Sequence, residues 1–168
     1  TEGLSKLMLN MSMTMMRAVP SIYGLNDEQL AEMEKITAQS MQGIRGMSMM
    51  MCHGQSDKPL FASFVALITV DDAREYLGRY QQMLAAMNQL TKEAESSILS
   101  RMDFEQVQLA GCPGLSVTTE LPVHPLVKDQ AEYKRSMEMM FGADGQMSFF
   151  LAAADQHTLV LSYVTPDL

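Results

Sequence analysis

The sequence predicts an α+β domain in which helices pack on the face of a mostly antiparallel sheet. Pairs of short runs with the two-residue period of strands are separated by clusters of turn-forming residues. Between these pairs, apolar residues recur with the 3.6-residue period of amphipathic helices, and each helical run begins at a residue type that caps helix N-termini. Hairpins joined through helices favour antiparallel pairing, so these observations together indicate the fold class.

Residues 1–45 are predicted to form a helical lead-in of two helices. The first covers residues 4–18 and ends before Pro20. Its apolar stripe follows an i, i+3, i+4, i+7, i+11 series that comprises Leu4, Leu7, Met8, Met11 and Met15. The second helix begins at the N-cap Asn26, with Gln29 in the capping-box position, and Gly43 suits its C-terminal end.

The first strand pair comprises Met47–His53 and Leu60–Val70, around a polar turn that closes with Pro59. Both faces of the second run are apolar, which predicts a central strand covered on both sides. Asp72 then caps the longest helix, whose apolar stripe continues to Leu90.

A second strand pair follows with the same order of strand, turn, strand and capped helix. Asp103–Leu109 and Leu115–Leu121 are predicted strands around the turn of residues 110–114. The next helix is capped by Asp129 and ends at Gly142.

The third strand pair comprises Gln146–Ala154 and Thr158–Val164. It is followed by Thr165 and Pro166, which have the chemistry of another helix start. With no complete helix after it, this pair is expected to expose apolar side chains. The candidates for exposure are Phe149, Leu151, Leu159 and Leu161.

The predicted order is therefore two N-terminal helices followed by ββα-ββα-ββ. Residues 46–168 form the sheet-building modules, and residues 1–168 form a single domain. We interpret the chain as a fragment of a longer protein. The sequence does not determine the cellular compartment, and an extracytoplasmic bacterial location is slightly favoured.

Charge and hydropathy exclude several classes of partner. The net charge is −8 and the twelve basic residues are scattered, which argues against nucleic-acid binding. An acidic surface repels anionic lipids, and no apolar stretch reaches the ~20 residues of a membrane span, so no membrane insertion is expected. The expected partner is another protein or other domains of the same chain, and an oligomer is also compatible with the sequence.

Methionine is the most unusual component of the chain. Many of its eighteen methionines lie in two runs, Met8–Met16 and Met47–Met51. Thioethers fill irregular cores, form adaptable binding surfaces and ligate Cu(I). Because several of these residues follow helical or strand periods, core packing is the favoured interpretation. The alternative is a copper site, with candidate ligands Met47, Met49, Met51, Cys52 and His53.

The sequence gives weaker support for a catalytic cysteine, a disulfide or a zinc site. Cys52 and His53 are adjacent on a predicted strand and face opposite sides, so this histidine cannot activate this cysteine. Cys52 and Cys112 are compatible either with one disulfide or with two reduced thiols. The cysteines and histidines lack the paired spacing of zinc sites, and no phosphate-binding or hydrolase motif occurs.

These observations favour a non-catalytic binding, interaction or scaffold module of a larger protein, without a cofactor. The alternative is a Met-rich domain that binds or traffics copper, with Cu(I) as its cofactor. A third hypothesis, an enzyme with a dispersed site, has no catalytic residue to support it. Solvent exposure of the methionines is the property that separates the first two functions.

Overall fold

The computed structural model describes residue 14 and residues 26–51, 59–93, 101–120, 130–141 and 146–163. Helix α1 (Asp27–Ser40) leads into strand β1 (Ile44–Met51). A short 3-10 helix (Leu60–Ser63) precedes strand β2 (Phe64–Val70), and helix α2 (Ala73–Glu93) follows it.

The second half contains two more strand pairs and one more helix. Strands β3 (Met102–Leu109) and β4 (Cys112–Glu120) form a hairpin. Helix α3 (Gln130–Phe141) comes next, and strands β5 (Gln146–Ala153) and β6 (Thr158–Ser162) form the last hairpin.

The six strands form one sheet in the order β1-β2-β6-β5-β4-β3, and every neighbouring pair is antiparallel. This confirms the predicted α+β class. The last hairpin in the chain lies between the first two hairpins. Its strands β6 and β5 join β2 to β4, so the sheet becomes continuous only through the C-terminal hairpin.

The core lies between the sheet and α2. One face of α2 buries Ala73, Tyr76, Leu77 and Leu84, which pack with side chains from the inner faces of the strands. The fully or almost fully buried strand residues are Val70, Leu115, Val117, Leu151 and Leu159. A smaller cluster holds α1 against the later part of α2.

The two best-defined helix starts have the chemistry that the sequence indicates. The amide of Gln29 donates to the side chain of Asn26 at 2.9 Å, and the reciprocal bond is also present, so the capping box is complete. Asp72 accepts a hydrogen bond from the amide of Glu75 at 2.9 Å at the start of α2. Both caps satisfy amides that the first helical turn leaves without intrahelical partners.

The predicted strand Leu60–Val70 begins too early. Its first four residues form the 3-10 helix, in which the amide of Ala62 donates to the carbonyl of Pro59 at 3.0 Å. Among the described residues, pairing of this strand with β1 begins at Phe64, which lies opposite Met51. The strand lies inside the sheet as expected, but it is not covered on both sides, since Leu67 on its outer face is exposed.

The β3–β4 turn is shorter than predicted. It contains only Ala110 and Gly111, both at positive φ, which is the geometry of a tight two-residue hairpin. The strand β4 therefore begins at Cys112 rather than at Leu115. Gly114 is needed within β4, because a Cβ there would lie 2.7 Å from the carbonyl oxygen of Leu151.

The expectation that the third hairpin exposes its apolar side chains is wrong. Phe149, Leu151 and Leu159 are buried, and Leu161 packs against the same core. These residues lie on the inner face of the sheet and belong to the cluster formed with α2. The helix that covers them precedes the hairpin in sequence, which local patterns along the chain do not reveal.

Two predicted elements lie outside the described residues. They are the first N-terminal helix over residues 4–18, apart from the helical Thr14, and the helix start at Thr165. The N-cap Asp129 predicted for α3 also lies outside this part of the chain.

Truncation of Leu84 to Ala is expected to lower the free energy of unfolding by about 2–5 kcal/mol, because its side chain is 0 % exposed between α2 and the sheet. Urea denaturation measures the loss. The exposed Gln82 on the same helix provides the control, and Gln82→Ala should change stability by less than about 0.5 kcal/mol. Equal effects of the two changes would contradict the packing of α2.

Candidate functional site: an exposed methionine edge

Strand β1 forms one edge of the sheet. Among the described residues its only strand partner is β2, with Met47 opposite Ile68, Met49 opposite Ala66 and Met51 opposite Phe64. An edge strand has a row of backbone N–H and C=O groups that are not used in the sheet. Apart from a register shift between Ile44 and Gly46, β1 is regular.

Four methionines on β1 are exposed, and we refer to Met47, Met49, Met50 and Met51 as the methionine edge. Their exposed fractions are 52 %, 66 %, 60 % and 52 %. Side chains alternate along a strand, so Met47, Met49 and Met51 share the inner face while Met50 points to the outer face. The expectation that these thioethers pack in the core is therefore wrong.

The position of α2 explains this exposure. The helix packs on β3, β4 and β5, which lie towards the edge of the sheet opposite to β1. Helix α1 packs on α2, and α3 contacts the 3-10 helix. The inner face of β1 is thus left open by the described helices from Met47 to Met51, whereas Ile44 at the start of the strand packs against the core.

The opposite edge of the same sheet has a different composition. Strand β3 has the exposed acids Asp103 and Glu105, and Asp103 forms an ion pair with Arg101 at 2.9 Å. Gln106 and Gln108 are also exposed on β3. Charged and polar side chains of this kind oppose strand pairing at an edge.

The methionine edge has no acid, and the one charged residue of β1 is Arg45, which pairs with Asp71. Apolar exposure also continues on the outer face, where Met50 lies opposite Val65 and Leu67 is exposed. Of the two described edges of the sheet, β3 therefore exposes polar side chains and β1 exposes apolar ones.

The structure does not describe the other two predicted copper ligands. Cys52 and His53 lie outside the described residues. Cys112 is a free, partly buried thiol at the start of β4. Within the described ranges, His, Cys, Asp and Glu form no group of three or more that could hold a metal ion. Of the predicted ligand set, the structure describes the thioethers of Met47, Met49 and Met51 on β1.

A second candidate site is an open groove between α2 and the β3–β4 hairpin, with a volume of about 480 Å³. The Nε2 group of Gln106 donates to Oε1 of Gln81 at 3.0 Å across it, and Arg74 is its one charged lining residue. Gly78 widens the groove, since a Cβ there would meet nothing within 4 Å. A glycine inside a helix, which costs about 1 kcal/mol relative to alanine, is the sequence signal for this groove.

Polar groups near the ends of β1 and β2 have structural partners. The Nδ1 atom of His157 lies 2.7 Å from the carbonyl oxygen of Asp71, and the amide of Asp71 donates to the carbonyl of Gly43. A hydrogen bond from the amide of His157 lowers the pKa of the Asp155 carboxyl. These contacts join the β5–β6 turn to the start of α2.

The tyrosines of α2 belong to the core. Tyr76 stacks on Tyr80 with ring centroids 6.1 Å apart, and its hydroxyl donates to the carbonyl of Ser40 at 3.0 Å. Burial raises the pKa of Tyr80, and the neighbouring Tyr76 and Tyr163 add to the rise. Burial also raises the pKa of Tyr76, against the opposing charge of Arg79.

Comparison of the chain with protein-family models, with curated proteins and with solved structures gives no match. No helix among the described residues is both long enough and apolar enough to cross a bilayer. The functional inference therefore depends on the geometry of the chain itself.

The exposure of the methionine edge can be tested by truncation. Met49→Ala should change the free energy of unfolding by less than about 0.5 kcal/mol, as expected at the surface. Met33, which is 2 % exposed between α1 and α2, is the matched control, and Met33→Ala should cost about 2–5 kcal/mol. A large loss at Met49 would show that another part of the chain covers β1.

The raised tyrosine pKa values predict a loss of stability in alkaline solution. In the unfolded chain tyrosine ionises near its ordinary value of 10.0, whereas in the folded chain Tyr80 stays neutral to higher pH. Stability from this group is thus complete below pH 10.0 and is lost as the pH rises towards the folded pKa. Tyr80→Phe should flatten the decline of unfolding free energy with pH, and an unchanged slope would contradict this assignment.

Proposed function

We propose that the chain is a non-catalytic binding module that engages a protein partner along the methionine edge. The observation that supports this function is the contrast between the two edges of one sheet. Acids and amides protect β3, whereas β1 exposes four thioethers along an edge that no second described strand pairs with. A protein that protects only one edge against strand pairing keeps the other available for it.

The mode of binding would be addition of an extended segment to the sheet. Backbone hydrogen bonds supply affinity in such complexes, and alternate side chains supply specificity. The flexible thioethers of Met47, Met49 and Met51 would adapt to apolar side chains on the partner's inner-facing positions. The partner is another protein, or another domain of the same chain, with a segment of alternating apolar residues.

We further propose that the domain has two N-terminal helices before its ββα-ββα-ββ modules. The three hairpins and the capped starts of α1 and α2 support this organisation. The single helical residue Thr14 in the lead-in is compatible with the first of these helices.

Site-specific photocrosslinking in cells that produce the full chain tests the proposed function. A photoreactive residue replaces Ser48 on β1 in one variant and Glu105 on β3 in the other. Both positions are exposed and lie on edge strands with their side chains on the outer face. A defined adduct is expected from the Ser48 position and not from the Glu105 position.

Charge at the edge provides the control. Met47→Lys and Met49→Lys place ammonium groups on an exposed row, so the fold should be retained while strand addition is opposed. The Ser48 adduct should disappear in these variants, with the circular dichroism unchanged. Equal adducts from both edges, or an adduct that survives both lysines, would refute binding through the methionine edge.

Binding of Cu(I) is the second candidate function. It is favoured by the exposure of three thioethers on one face of one strand. Adjacent members of this row are about 7 Å apart along the strand, which long thioether side chains can bridge towards a shared ion. Soft sulfur ligands select Cu(I), and Cys52 and His53 follow directly in the sequence.

Titration with Cu(I) under reducing conditions separates the two functions. The proposed protein-binding function predicts no stoichiometric copper complex. Stoichiometric binding that is lost in a Met49→Leu, Met51→Leu, Cys52→Ser variant would instead support copper handling. Leucine keeps the apolar row and removes the sulfur, so this variant distinguishes metal ligation from apolar contact.

A further inference from the structure

The methionine edge concentrates reactive sulfur at the surface. Thioethers are oxidised to sulfoxides by peroxide-class oxidants, and the change turns a flexible apolar side chain into a polar one. Met47, Met49, Met50 and Met51 are each more than half exposed, whereas Met33 in the helix interface is 2 % exposed. The chain thus separates accessible thioethers on β1 from a protected one in the core.

We propose that the methionine edge is an oxidant-sensitive modification site, at which sulfoxidation of Met47, Met49 and Met51 withdraws β1 from its partner. The modification itself follows from exposure and sulfur chemistry. The release of a partner rests on the proposed function of the edge.

The reaction requires only a peroxide. A lone pair on the thioether sulfur attacks one peroxide oxygen, the S–O bond forms and the O–O bond breaks. The other oxygen leaves as water after proton transfer, so the sulfur loses two electrons and the peroxide gains two. Methionine sulfoxide reductases reverse the change, with a dithiol supplying two electrons and the sulfoxide oxygen leaving as water.

The geometry of β1 explains why sulfoxidation should weaken partner binding. Met47, Met49 and Met51 share one face, so oxidation converts the whole inner row of β1 rather than isolated positions. A sulfoxide oxygen covered by an apolar partner lacks a hydrogen-bond donor, and burying such a group costs free energy. The fold of the domain should survive, because these side chains are outside both core clusters.

Met139 serves as a control for an exposed methionine that is not on β1. It is 69 % exposed but lies on helix α3 rather than on strand β1. Hydrogen peroxide should oxidise it together with the methionine edge, with no consequence for binding along β1. Met33 should react several-fold more slowly than either, and peptide mass mapping of the treated protein measures all three classes.

The functional half is tested with the Ser48 photocrosslinking variant. Treatment with hydrogen peroxide before irradiation should abolish its adduct, and a sulfoxide reductase with a dithiol should restore it. A Met47→Leu, Met49→Leu, Met51→Leu variant keeps an apolar row without sulfur, so its adduct should survive the oxidant. Met139→Leu should behave like the parent chain.

Each result has a distinct meaning. Oxidation of Met33 as fast as Met49, or an adduct that survives complete sulfoxidation of the inner row, would overturn this inference. Loss of the adduct in the triple leucine variant after peroxide would assign the sensitivity to a residue outside the inner row, such as Met50, and would also overturn this inference. A missing adduct in the reduced parent chain would instead refute the proposed function, while the mass map would still decide whether β1 is the preferred site of oxidation.

Discussion

Packing of α2 on the central hairpin is the interaction on which the rest of the molecule depends. Leu84 from the helix and Leu151 and Leu159 from the hairpin are among the most deeply buried side chains. Each fully buried aliphatic side chain contributes roughly 1.5–3 kcal/mol relative to exposure. Since β5 and β6 also join the two outer hairpins, this one contact region organises both the helical layer and the order of the sheet.

The same arrangement determines where the candidate site lies. A single long helix covers part of a six-stranded sheet, and it packs on β3, β4 and β5. On the edge strand β3, Met102 and Phe104 pack against the core that α2 covers, and the acids occupy the exposed outer face. The distant edge keeps an open inner face, and there the chain has thioethers rather than branched aliphatic residues. Thioether side chains are flexible, so an exposed row of them can adapt its shape.

Local chemistry in the sequence was sufficient to predict the capped starts of α1 and α2 and the α+β class. Asn26 and Asp72 accept hydrogen bonds from nearby amides in patterns that span three residues, and such patterns can be read directly. Alternation likewise showed that Met47, Met49 and Met51 share a face. It could not show whether a helix covers that face, since coverage depends on elements far along the chain.

Strand order was beyond the reach of local patterns for a related reason. The pairing of β2 with β6 brings together residues such as Ile68 and Leu159, which are remote in sequence. The groove beside Gly78 was missed because its walls come from separate elements, α2 and the β3–β4 hairpin. Local periodicity describes one element at a time, whereas these features arise from the positions of two.

Insertion of the last hairpin between the first two also has a consequence for biosynthesis. During translation β1–β2 and β3–β4 are made first, and each hairpin has two free edges until β5 and β6 emerge. The nascent chain therefore presents four strand edges, including β2 with its apolar Ala66 and Ile68, to neighbouring polypeptides. Folding dominated by such distant pairings is slow, and exposed edges invite association between chains. The inner edges of the two outer hairpins can pair within the sheet only after the β5–β6 hairpin has been made.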